Sequence, residues 1–211
     1  MKKLTYLFFI FCWLIGCEFD VNIDEDSLAY VCVQGVNDFK HHCGTGFFIN
    51  SNKLITARHI IDNRVNGYWH ISVVRDGKVI VLREANVIRE IKEFDLSLIE
   101  VKNFDSKSYL EICNRDYLWD KVFVASFVDH ELEISTGIIY RINSNWISHT
   151  TRTTFGWSGS PVISEDEGCV KGVLKRGMDG VSNGPGVLPI NMLIDGDSGG
   201  FGYNNLNYRE R

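Results

Sequence analysis

Short apolar runs follow one another along the chain from Leu28 onward. "AYVCVQ", "GTGFFIN", "KLITA", "HISVVR", "KVIVL", "DLSLIEV", "KVFVASF", "ISTGIIYRI", "SPVIS", "CVKGVLK" and "GVLPI" are rich in Val, Ile, Phe and Tyr. Such residues favour a pleated, partly buried surface. Turn-forming stretches such as "NSN", "RDG", "EDEG" and "SNGPG" separate them. Helical spacing is scarce, and short helical turns are expected only after His59 and around "INMLID". The pattern predicts an all-β sandwich or barrel. From Asn103 to Asp120 no clear strand is legible, so this stretch is expected to connect two halves of about six strands each.

The first residues read differently. In "MKKLTYLFFIFCWLIGC" two lysines precede an apolar run that ends at Gly16, shorter than the ~20 residues a membrane-spanning helix needs. The pattern is that of an export leader. Its end, "LIGC", resembles the bacterial lipobox, in which the leader is cut before a cysteine that is then lipidated. That resemblance implies a leader over 1–16, a lipid on Cys17 and an acidic tether over 17–27. It places the chain in the bacterial cell envelope, anchored to a membrane, with secretion as the alternative. Because Glu18 follows Cys17, the aspartate that often marks inner-membrane retention in enteric bacteria is absent.

Export bears on the cysteines. Cys12 leaves with the leader and Cys17 carries the lipid, leaving Cys32, Cys43, Cys113 and Cys169, which admit three pairings. Cys32 and Cys43 could face each other across a hairpin centred on "VNDFK". The "HHC" at His41 to Cys43 lacks a second ligand group at metal spacing, so a solvated turn is expected there and no metal. A formal charge of −5, which becomes more negative once Lys2 and Lys3 are removed, gives no basic footprint for nucleic acid.

Three polar residues stand at the edges of apolar runs. His59 follows "KLITA" in "TARH", Asp95 opens "DLSLIEV", and Ser158 lies in "GWSGSPV". A serine attacks only when a base takes its proton, and a histidine base needs a carboxylate to orient it and stabilise its cation. Gly156 can adopt the backbone angles that aim its N–H, with that of Ser158, at a developing oxyanion. The order His59, Asp95, Ser158 also excludes an α/β-hydrolase, which needs its histidine after the serine. Here His41, His42, His59, His70, His130 and His149 all precede Ser158.

These three segments resemble those of trypsin-like peptidases, and within them the catalytic core of the HtrA/Deg type. "TARH" matches the Thr-Ala-x-His segment, "DLSLI" the aspartate segment, and "GWSGSP" the Gly-x-Ser-Gly-x-Pro segment. The likeness covers about 28–195. It implies two six-stranded antiparallel β-barrels (about 28–102 and 121–195) with a short C-terminal helix. It implies a serine endopeptidase in which His59 is the base, Asp95 orients it, Ser158 attacks through an acyl-enzyme, and Gly156 and Ser158 form the oxyanion hole. Protein or peptide would be the substrate, with no cofactor. Two departures stand out. Trp157 replaces the aspartate that pairs with a newly cut N-terminus in trypsins, and Ser160 replaces the usual second glycine.

A rival serine sits in "GDSGG" at Gly196 to Gly200. After Ser198 only 13 residues remain, with no β-type run, whereas 53 follow Ser158. The strands that must build a specificity pocket can follow only Ser158, so Ser198 is expected to be a decoy in a flexible tail over 196–211. By the family's layout Arg152 would form the base of that pocket and Lys175, Arg176 and Gly177 one wall, suggesting cleavage after Glu or Asp. The competing reading puts these cations in solvent, where charged residues usually lie. A catalytically silent peptide-binding lipoprotein on the same fold is the alternative function.

Overall fold

A computed structural model of the protein describes residues 23–34, 41–62, 68–178 and 181–196. The expected leader, Cys17 and Ser198 lie outside the described residues.

Two antiparallel sheets make up the structure, each of seven strands among the described residues rather than the expected six. The first contains β1 (Leu28–Gln34), β2 (His41–Phe48), β3 (Lys53–Ala57), β4 (Tyr68–Arg75), β5 (Lys78–Leu82), β6 (Ala85–Ile91) and β7 (Leu96–Val101). Its spatial order is β5-β4-β1-β2-β3-β7-β6, with the one-turn helix α1 (Arg58–Ile61) directly after β3. The second contains β8 (Lys121–Val128), β9 (Glu131–Asn143), β10 (Trp146–His149), β11 (Pro161–Ser164), β12 (Val170–Val173), β13 (Arg176–Met178) and β14 (Val181–Pro185). Its order is β12-β11-β8-β9-β10-β14-β13, and helix α2 (Val187–Asp195) follows. The architecture is the chymotrypsin-like double barrel.

Several strands bury both faces, which explains why their sequences are apolar in both parities. In β7, Leu96 and Leu98 enter a core shared by the two halves, while Ile99 and Val101 point into the first half alone. Strand β8 does the same in the second half. Phe123, Ala125 and Phe127 join the shared core, and Val122 and Val124 the inner one. Ile190 and Leu193 of α2 close the shared core. Arg89 of β6 donates to the carbonyls of Leu193 (2.6 Å) and Ile194 (3.0 Å), satisfying helix-end acceptors that would otherwise lack partners.

Four local expectations need correction. Strands β6, β10 and β13 join the sheets although the apolar pattern predicts none of them. "VSNGP", which has turn chemistry, is β14, because β10 and β13 pair with it on either side. "GVLPI", which has strand composition, opens α2 instead. Pro189 falls in the first turn, where its missing N–H costs nothing, and the Asp116 carboxylate accepts the Val187 N–H at 3.1 Å. Finally, His41 and His42 begin β2 rather than forming a turn.

Cys32 and Cys43 stand opposite each other in β1 and β2 and are disulfide-bonded; Cys113 pairs with Cys169. Cys113, Glu167 and Cys169 come close together, but both sulfurs are committed to the disulfide and are not free as thiolate ligands.

Candidate active site

Strand register brings His59 and Asp95 together. β3 and β7 are antiparallel, with Ala57 opposite Leu96, so the residues just beyond that pair meet where the strands end. His59 lies in α1, held by the buried Ile60 and Ile61 behind it. Asp95 has a left-handed backbone (φ 59°), which aspartate tolerates better than most residues. That turn aims three acceptors at α1. Its Oδ2 lies 2.6 Å from His59 Nδ1, its Oδ1 accepts the His59 N–H at 2.9 Å, and its carbonyl accepts the Arg58 N–H at 2.7 Å. Ala57 offers α1 no side-chain cap, so Asp95 does the capping. Its side chain is 8% exposed, against 44% for His59. The carboxylate is buried and the imidazole open on one side.

Ser158 sits in the loop before β11. Two glycines with positive φ shape that loop, Gly156 (89°) and Gly159 (84°). A Cβ on Gly159 would overlap the Thr45 carbonyl, so only glycine fits there. The Gly159 N–H donates to Leu174 O at 2.7 Å and the Ser160 N–H to Trp157 O at 3.1 Å. The N–H groups of Gly156 and Ser158 make no such backbone bond among the described residues, leaving them available to a ligand. Trp157 is buried, and its indole N–H donates to Glu133 at 2.9 Å, so the loop is anchored by a tryptophan instead of an aspartate. Phe155, next to Gly156, is 97% exposed. The Ser158 hydroxyl donates to the Lys175 carbonyl at 3.3 Å instead of to the His59 ring.

The four residues expected around a specificity pocket have different surroundings. Arg152 and Arg176 are exposed, and Lys175 places its ammonium 5.0 Å from the centre of the Trp146 ring. Gly177 abuts Thr153, whose hydroxyl is 2.8 Å from that of Ser182. Behind them His149 is wholly buried, with Nδ1 2.7 Å from the Thr151 hydroxyl. Burial pushes its pKa down to about 4, so the ring is neutral at neutral pH.

Thr45 was not foreseen in the sequence. Its N–H donates to Ser158 O at 2.8 Å, and its buried hydroxyl accepts the Phe127 N–H at 3.0 Å. The "GTG" of β2 is the signal that could have found it, since glycines inside a strand mark close backbone approach.

The sequence profile of the trypsin-like peptidase domain matches residues 44–173, the span that carries His59, Asp95 and Ser158. No curated protein matches the chain in sequence. Among solved structures, Deg5 is similar at TM-score 0.66 and 12% identity, over 82% of this chain and 91% of that one. A serine protease of a human pathogenic astrovirus is similar at TM-score 0.60 and 23% identity, over 80% and 94%. The Rv3671c protease from M. tuberculosis, in its active form, is similar at TM-score 0.68 and 17% identity, over 81% and 80%. At these identities the likenesses speak for the fold, and the profile match over most of the chain speaks for the family. The chain belongs to the trypsin-like peptidase family, and with it to the serine endopeptidases.

Proposed function

We propose that the chain cleaves peptide bonds through Ser158, with His59 as base and Asp95 as its orienting partner. The observation that carries this reading is the double grip of Asp95 on His59, through the backbone N–H and Nδ1. With Nδ1–H held by the carboxylate, Nε2 is left as the acceptor for a serine proton. Ser158 Oγ attacks the peptide carbonyl carbon as its proton passes to Nε2. The oxyanion rests on the N–H groups of Gly156 and Ser158, and the imidazolium returns the proton to the leaving amine. Water, deprotonated by His59, then releases the acyl group. A peptide chain would enter by pairing with β13, one of the two edge strands of its sheet among the described residues.

The same reading places the enzyme outside the cytoplasm, held to a membrane of the bacterial envelope by a lipid on Cys17. Two disulfides support an oxidising compartment. Incorporation of labelled palmitate, lost in Cys17→Ser, tests the anchor; incorporation that survives the substitution contradicts it. One contact favours the catalytically silent alternative: the Ser158 hydroxyl engages Lys175 O, not His59. Turnover of casein by the leaderless protein, abolished in Ser158→Ala, separates the two. A folded protein without turnover argues for the silent reading.

A further inference from the structure

We propose that Thr153 sets the specificity of this site by closing the slot beside Ser158. The residue that donates the scissile carbonyl must then carry a minimal side chain, as Gly, Ala and Ser do. The inference rests on the reading of Ser158 as the nucleophile.

The Ser158 hydroxyl lies 3.3 Å from the carbonyl of Lys175, the residue just before β13. A peptide paired with the β13 edge brings one carbonyl to Ser158. The side chain on that residue enters between β13 and the segment 151–155 that leads into the nucleophile loop. Thr153 already fills this gap. A Cβ built on Gly177 would overlap the Thr153 hydroxyl, so strand and segment touch with nothing between them.

Thr153 is also fixed in place. The Ser182 hydroxyl gives its single proton to Thr151 O at 2.9 Å. In the 2.8 Å contact between the two hydroxyls Thr153 must therefore be the donor, which holds its rotor toward Ser182. Behind this pair the buried His149 is bonded to Thr151, so the floor is packed as well. Nor do the walls supply a cation for an acidic side chain. Arg152 and Arg176 are exposed, and the Lys175 ammonium lies over Trp146.

The test uses peptidyl phosphonate diphenyl esters that differ only in the side chain next to phosphorus: Ala, Phe or Glu. They are applied to the leaderless protein, to Thr153→Ala and to Thr153→Val. Wild type should react ~10-fold or more faster with the Ala probe than with the Phe or Glu probe, the scale on which a pocket rejects excess bulk. Thr153→Ala should narrow the gap between Ala and Phe, while Thr153→Val, which keeps the bulk, should preserve the order. Wild type that prefers Phe or Glu overturns the proposal, as does an unchanged gap between the Ala and Phe probes in folded Thr153→Ala. If Thr153→Ala does not fold, the wild-type order alone decides. A simple alkyl fluorophosphonate has no such side chain. Reaction with it but a contrary probe order defeats the Thr153 proposal only, and failure with every probe defeats the nucleophile reading too.

Discussion

The backbone N–H of Thr45 donates to the carbonyl of Ser158 at 2.8 Å, tying the Ser158 loop of the second half to β2 of the first. The Thr45 side chain tightens the joint. Its hydroxyl accepts the Phe127 N–H at 3.0 Å and lies 3.0 Å from the Ser126 hydroxyl, and Thr56 donates to the Thr45 carbonyl at 2.7 Å. The position of Ser158 relative to His59 therefore depends on a buried polar cluster between the halves.

Thr45→Val keeps the shape and removes the hydroxyl, leaving the Phe127 N–H buried without a partner. Such a loss costs roughly 1–3 kcal/mol. Denaturant unfolding should show a destabilisation of that order, with slower peptide turnover at temperatures where the variant is still folded. Unchanged stability would mean that the cluster has no structural role.

Asp95→Asn tests the proposed orienting role separately from the fold. The amide oxygen can still accept the His59 N–H, so α1 should keep its cap and the protein its stability. Without the negative charge, and with the tautomer at Nδ1 no longer enforced, kcat should fall by about 10⁴-fold, the scale known for this substitution in serine protease triads. A drop of less than tenfold would show that Asp95 serves only as a cap.

Two buried groups act on stability in opposite senses over one pH range. Burial pushes Asp116 up to about 7, while in the unfolded chain it titrates near 3.8. Between these values the native state holds a proton the unfolded chain has lost, so this group lowers stability as pH rises. Burial pushes His149 down to about 4 from 6.5, so the unfolded chain holds the extra proton and stability rises with pH. The two effects offset between about pH 4 and 6.5. Asp116→Asn removes the first and keeps an acceptor for the Val187 N–H. Its stability should climb with pH across that window more steeply than wild type, and exceed wild type above pH 7. Parallel pH profiles would contradict the assignment.

The segments of the candidate site are easier to read in the sequence than the contacts between them. His59 and Asp95 each stand where an apolar run meets a polar turn, and antiparallel pairing of β3 with β7 needs only the Ala57–Leu96 register to join them. Strands such as β7 and β8 were legible because two cores demand apolar residues on both faces. β14 was not: "VSNGP" becomes a strand through pairing with β10 and β13, a non-local cause that local propensity cannot express. "GVLPI" failed in the opposite sense, since a short apolar run fits a buried strand or helix equally well. Likewise, nothing near Gly177 in the sequence indicates that Thr153 will lie against it. The pairing of Cys113 with Cys169, 56 residues apart, needed the fold as well.

Whether Ser158 is an activated nucleophile is read out by fluorophosphonate labelling. The leaderless protein, Ser158→Ala and Ser198→Ala would be treated in parallel and the labelled peptide located by mass spectrometry. A single label is expected on Ser158, lost in Ser158→Ala and retained in Ser198→Ala. Folded wild type that takes no label, or a label on Ser198, would contradict it.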